Sequence, residues 1–158
     1  MSKKGKLKIF RRRVLALLSI FLINLIGMLN LKMARRLAII FAFLTYYLVP
    51  RIRKVGMKNL DIAYGDSIDE REKKKILWES VLNMCLVAVE FPHMPRLANI
   101  RYEGVAEYEG IECISKYVEE NKGAIFIGAH LGNWEMMASL MCSHGYRVAE
   151  VVRRFDDP

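Results

Sequence analysis

The first 60 residues contain no carboxylate, although they carry 14 of the 25 lysines and arginines in the chain. The other 11 basic residues are outnumbered by 17 acidic ones, so the later part has a net charge of −6 while the whole chain has +8. A basic end joined to an apolar stretch indicates a membrane surface with anionic lipid as its partner. Nucleic acid is not expected as a partner, because the later part is acidic and has no nucleic-acid-binding motif.

Several motifs of enzyme chemistry are also missing. The chain has no GxSxG nucleophile elbow, no phosphate-binding loop ending in Gly-Lys-Ser/Thr and no GxGxxG fingerprint. Cys85, Cys113 and Cys142 are odd in number and lack metal-ligand spacing. This pattern favours buried structural thiols in a reducing compartment over disulfides or a nucleophile. No metal site or cofactor is expected, and His93 and His144 are interpreted as surface or loop histidines.

Residues 1–50 are predicted to form the membrane-anchoring part of the chain. A run of 18 uncharged residues extends from Val14 to Leu31, near the shortest length that spans a bilayer as a helix. Seven basic residues precede it and favour a cytoplasmic N-terminus, but more basic residues follow it, which favours a helix lying in the interface. Both arrangements stay open, whereas a cleaved signal peptide is less favoured. A second apolar segment, Leu37–Val49, is too short to span and ends before Pro50.

Residues 51–158 are predicted to form the second domain, which begins with helices. The stretch from residue 51 to 65 has the pattern of a short amphipathic helix. A long helix follows, with Ser67 or Asp69 as its N-cap, and a short strand over residues 99–105 and a helix over 108–121 come next. The core-facing stripe of the long helix is predicted to contain Ile76, Leu77, Val81, Met84, Cys85 and Ala88.

Two apolar runs on either side of a helical pattern predict the fold class. Ala124–Ala129 is a continuous apolar run between glycines, typical of a strand buried on both faces. Gly132–His144 is predicted as a helix, and Tyr146–Val152 as a second strand. Strand, helix and strand at this spacing indicate a βαβ unit. The expected fold is therefore α/β, with an N-terminal membrane-associated helix and helical segment followed by the first βαβ part of a mixed or parallel sheet.

The residues that carry chemistry lie where the first predicted strand ends. His130 follows that strand and Glu135 lies in the first turn of the next helix, the region where α/β sheets collect functional groups. A carboxylate near one imidazole nitrogen would fix the tautomer, and the other nitrogen would take a proton from a substrate hydroxyl. Backbone N–H groups at the helix start, with Asn133, would hold an anionic group. For an isolated histidine and glutamate, a loop histidine and a helix-stabilising glutamate would be the favoured alternative.

The block GAIFIGAHLGNWEMM, residues 123–137, resembles the catalytic block of the lipid A late acyltransferases. These are the secondary acyltransferases of lipopolysaccharide synthesis, within the lysophospholipid acyltransferase superfamily. That superfamily carries a histidine, four residues and then an acid, and the HxGNWE form typical of this branch is unbroken here. RIRKVGMKNLDIAYGD, ESVLNMCLVAVEF and the final VVRRFDDP are similar to other segments of the family, so the resemblance covers nearly the whole chain.

The resemblance implies roles for five residues. His130 would be the general base and Glu135 its acidic partner. The substrate-binding residues would be Gly132, Asn133 and Arg153, the last of them a candidate for contact with substrate phosphate.

Two positions depart from the family pattern. Arg154 stands where the family usually has proline, and Asp157 where it usually has asparagine. Both changes lie in the loop that carries Arg153, which leaves a solvated charge at a strand end as the alternative role for that residue. The resemblance extends over the N-terminal half of the family's sequence only.

The implied reaction moves a fatty acyl chain from an acyl carrier protein thioester, or from acyl-CoA, to a hydroxyl of a lipid A precursor. The acceptor is an anionic lipid, and the expected location is the cytoplasmic face of the inner membrane. Two alternatives stay open: an acyltransferase for another phospholipid or glycolipid acceptor, and a truncated, inactive remnant bound to the membrane.

Overall fold

A computed structural model describes the backbone of residues 3–120 and 122–151, and the side chains of residues 9–118, 120 and 122–151. The described α-helices are α1 Lys3–Met28, α2 Leu31–Leu48, α3 Pro50–Tyr64, α4 Glu70–Glu90, α5 Met94–Asn99, α6 Glu112–Glu119 and α7 Trp134–Ser143. A 3₁₀ turn, Phe91–His93, joins α4 to α5. The chain divides into two compact units, Met1–His93 and Met94–Pro158.

The predicted α/β fold is wrong, because the described residues contain helices and no strand. Ile125 and Ile127, in the run predicted as a strand buried on both faces, are 95% and 97% exposed. Residues 100–105 form turns, and residues 146–151 belong to neither a helix nor a strand. A strand exists only where a neighbouring strand takes up its N–H and C=O groups. Apolar composition indicates a tendency to be buried but does not supply that neighbour, so the βαβ unit is absent from the described residues.

The first unit is built on the contact between α2 and α4. Ala34, Ala38 and Ala42 of α2 have no exposed surface. Because they recur every four residues they form one stripe, and their small side chains let the two helix backbones approach closely. Val89 of α4 packs in one cluster with the first two alanines, and Leu77 packs in a second cluster with Ala42.

The N-cap expected for α4 is confirmed, and its predicted core stripe is partly correct. The Asp69 side chain accepts a hydrogen bond from the Glu72 backbone N–H at 2.7 Å. Leu77 and Val81 are buried as predicted, whereas Met84 is 54% exposed. The stripe fails near the C-terminal end of α4, because the end of α1 also packs against that part of the core.

The expectation of a surface or loop histidine is corrected for His93, which lies in the turn between α4 and α5 but is buried. The residue is 4% exposed. The Nδ1 atom lies 3.0 Å from the carbonyl oxygen of Val89, and the Nε2 atom lies 3.0 Å from that of Leu29. Both carbonyls lie at or just beyond the C-terminal ends of helices, where backbone acceptors lack partners within the helix. The imidazole therefore links the ends of α1 and α4.

The long apolar run predicted as an anchor does not form one helix. The first helix ends at Met28, and the Asn30 side chain caps α2 by accepting from the Met33 N–H at 2.9 Å. Large apolar side chains of α1 are exposed, for example Leu17 at 67% and Phe21 at 63%. Among residues 3–120 and 122–151, no single helix meets the length and hydropathy of a membrane span. Helices α2 and α3 reach the required length and hydropathy only when they are taken together, and the pair is bent by 85° at the break between them.

The second unit holds α7 against the segment that follows α5. Tyr102 is completely buried, and its hydroxyl donates a hydrogen bond to the Ser139 side chain on α7.

All three cysteines are free, but Cys113 and Cys142 are exposed and only Cys85 is half-buried. The prediction of buried structural thiols is therefore wrong for Cys113 and Cys142.

Candidate functional site

The loop that leads from His130 into α7 has a conformation that its sequence dictates. Gly132 has a φ of +57°, a left-handed backbone that a residue with a side chain adopts only at a cost. Asn133 is the N-cap of α7, and its side-chain oxygen accepts from the Met136 N–H at 3.1 Å. The Gly-Asn pair within HxGNWE thus turns the chain and starts the helix at Trp134.

His130 lies in this loop with its side chain exposed to solvent. Its imidazole contacts the Trp134 indole, with ring centroids 4.8 Å apart and ring planes at 57°. Just before it, a Cβ atom added to Gly128 would lie 3.3 Å from the terminal methyl of Met137. The glycine therefore allows the chain ahead of His130 to pass close to α7.

Glu135 is half-buried in the first turn of α7. Its Oε1 accepts a hydrogen bond from the Trp134 indole Nε1–H at 3.1 Å. A carboxylate in this position also interacts favourably with the positive end of the helix dipole. Within the described part of the chain no hydrogen bond joins Glu135 to His130; the two side chains both contact Trp134.

The remaining predicted site residues have different outcomes. Gly132 and Asn133 lie in the loop between His130 and α7. Four of the five predicted site residues therefore lie within residues 130–135. Arg153 lies outside the described residues, as do the two positions that depart from the family pattern. Among the residues that the structure describes, no group of three or more His, Cys, Asp or Glu side chains is arranged to hold a metal ion.

Trp134 is the site residue that sequence reasoning missed. Its side chain contacts both members of the predicted dyad, whereas the sequence analysis used it only as a letter of the block. The available signal was its position, four residues after His130 and directly before Glu135. At the start of a helix this spacing brings a large ring between two polar neighbours.

The comparison with protein families identifies one match. Residues 1–157 match the family model described as bacterial lipid A biosynthesis acyltransferase. The matched range includes every residue of the chain except Pro158, and so every predicted site residue. No curated protein and no solved structure matches the chain.

Proposed function

Because the chain belongs to the bacterial lipid A biosynthesis acyltransferase family, we propose that it acylates a hydroxyl of a lipid A precursor with His130 as general base. Acyltransferase chemistry follows from the family; the roles of individual residues are the proposal. One observation supports them most directly. A solvent-exposed imidazole lies immediately before α7, and a carboxylate occupies the first turn of that helix.

The proposed reaction needs a general base and a negatively charged group that stabilises this base once it is protonated. The His130 imidazole takes the proton of the substrate hydroxyl as its oxygen attacks the thioester carbonyl carbon. The tetrahedral intermediate expels the thiolate, which takes the proton from the imidazolium, so the products are an ester and a thiol. Glu135 stabilises the imidazolium while it exists, as acidic partners do in histidine–acid dyads.

The charge of the chain and its family both support the proposed substrates. We assign Gly132 and Asn133 to the wall of the acceptor site and Arg153 to a substrate phosphate. The donor is an acyl carrier protein thioester or acyl-CoA. The first 60 residues are strongly basic, so they would attract an acidic carrier protein or an anionic glycolipid.

The proposed location is the cytoplasmic face of the inner membrane. Members of this family are generally membrane-associated. Helices α1 and α2 carry many exposed apolar side chains. A large exposed apolar surface is typical of a site that contacts a membrane or another protein. The basic residues beside them would bind anionic headgroups.

The test is acyl transfer by the natural protein with a hydroxyacylated lipid A precursor as acceptor. We expect His130→Ala to lower kcat by about 100- to 10,000-fold, the usual contribution of a general base, without loss of folded protein. His144→Ala is the matched control, since this half-buried histidine lies at the other end of α7, and it should keep near-normal kcat. Near-normal turnover of His130→Ala would show that the assigned base is wrong.

The same assay identifies the donor and the acceptor. Acyl carrier protein and CoA thioesters of one chain length are compared, and a lysophospholipid replaces the lipid A precursor in a parallel reaction. We expect carrier-bound acyl chains and the lipid A precursor to give the higher kcat/KM. Faster transfer to the lysophospholipid would show that the protein acylates a phospholipid acceptor and not a lipid A precursor.

A further inference from the structure

The arrangement of Trp134 gives its side chain two partners with different chemistry. Its indole ring packs at a tilt against the His130 imidazole, and its single N–H donates to the Glu135 carboxylate. Aromatic pairs with centroids 4.5 to 7 Å apart attract each other beyond the area that they bury. A hydrogen bond to a carboxylate is about twice as strong as one between neutral groups.

We propose that Trp134 is a positioning residue, which holds the His130 imidazole and the Glu135 carboxylate in the geometry that acyl transfer requires. This inference rests on the proposed roles of His130 and Glu135. An exposed imidazole samples several rotamers, and each one that is unproductive lowers the fraction of enzyme ready to react. Contact with a half-buried indole restricts that sampling.

The hydrogen bond gives Glu135 a defined orientation. Trp134 occupies Oε1 of the carboxylate, which leaves Oε2 to accept from the imidazolium during the reaction. A carboxylate accepts several hydrogen bonds at once, so the two contacts are compatible. The backbone beneath them is fixed by the Asn133 cap and the Gly132 turn, which hold Trp134 at the first position of α7.

The first test separates the ring from its N–H. Trp134→Phe keeps an aromatic ring beside His130 but cannot donate to Glu135. We expect kcat to fall by about ten- to hundredfold, the cost of a small misplacement of catalytic groups, while KM changes by less than about twofold. Trp134→Leu should lower kcat further, because it also removes the ring contact. The matched control is Trp78→Phe, which changes the other tryptophan, half-buried in the first unit, and should leave kcat unchanged.

The second test observes the contact without activity. In Trp78→Phe the remaining indole is Trp134, so fluorescence excited where tyrosine does not absorb reports on it alone. A protonated imidazole in contact quenches an indole, so we expect emission to fall when His130 is protonated. His130→Gln should remove that fall while circular dichroism stays unchanged.

The outcomes distinguish this proposal from the one beneath it. If His130→Ala abolishes transfer but Trp134→Phe keeps full kcat in a folded protein, the positioning role is wrong and the proposed base stands. If His130→Ala keeps transfer, both proposals fail. If acidification leaves the Trp134 emission equal in the presence and absence of His130, the indole and imidazole do not pair and the positioning role is wrong.

Discussion

The half-buried Cys85 thiol shows how packing changes the reactivity of a residue that the sequence placed in the core-facing stripe of α4. It lies on α4 among the apolar side chains that face α2. Burial raises the pKa of the Cys85 thiol, and a hydrogen bond with Thr45 opposes the rise. Because thiols react as thiolates, a raised pKa makes this cysteine slow to react at neutral pH.

We therefore predict that Cys85 reacts at least about tenfold more slowly with a disulfide reagent at neutral pH than an exposed cysteine does. The comparison uses variants that retain one cysteine each, either Cys85 or Cys113, and follows thiolate release. The difference should narrow as the pH rises, because the raised pKa delays ionisation of the Cys85 thiol without preventing it. Equal rates at neutral pH would contradict the burial described here.

Residues of the site differ in how far sequence could predict them. The HxGNWE block indicated His130 and Glu135 because its spacing is specific. The indole hydrogen bond to Glu135 and the burial of His93 could not be predicted, because both depend on side-chain directions set by the local backbone and by packing between distant helices. Sequence spacing contains neither.

At the scale of helices, the stripe of alanines on α2 is the clearest consequence of small side chains. Ala34, Ala38 and Ala42 are wholly buried, and Ala34 and Ala38 pack in one cluster with Val89 of α4. Ala38 lies at the middle of the stripe. Packing at this density makes the contact sensitive to volume.

We predict that Ala38→Leu lowers the free energy of unfolding by about 1–3 kcal/mol, because overpacking forces the two helices apart. Thermal unfolding followed by circular dichroism provides the measurement. Ile39→Leu is the matched control, since Ile39 is the next residue and is 51% exposed, and it should change stability by less than about 0.5 kcal/mol. An equal loss in both variants would show that α2 does not use this face against α4.

Helices were predictable from the sequence and strands were not, for a physical reason. Helix α3 was expected over residues 51–65 and forms over Pro50–Tyr64, because a helix satisfies its backbone within one segment. The apolar runs at 124–129 and 146–152 carry the composition of buried strands. A strand depends on partners elsewhere in the chain, and the described residues do not provide them.

For the whole molecule, the separation of charge along the chain predicts which end would bind the lipid surface at the proposed membrane location. The exposed side chains of α3 include Arg51, Lys54 and Lys58, in a region that contains no acid before Asp61. Each basic residue near an anionic surface contributes about 1 kcal/mol of binding free energy. Replacing all three by glutamine should therefore reduce the preference for anionic over neutral vesicles by about tenfold or more at low salt.

The control for this experiment removes the same charge from another helix. Arg71, Lys74 and Lys75 are exposed on α4 but lie among acidic residues, and the ammonium of Lys74 already pairs with Glu70 at 2.6 Å. Their replacement by glutamine should change the preference by less than about twofold, since the ammonium of Lys74 is already paired and the neighbouring carboxylates offset the other two charges. Vesicle co-sedimentation with anionic and neutral lipid gives the ratio directly. An equal loss in both triple variants would mean that net charge alone, and not the position of α3, controls binding to the membrane.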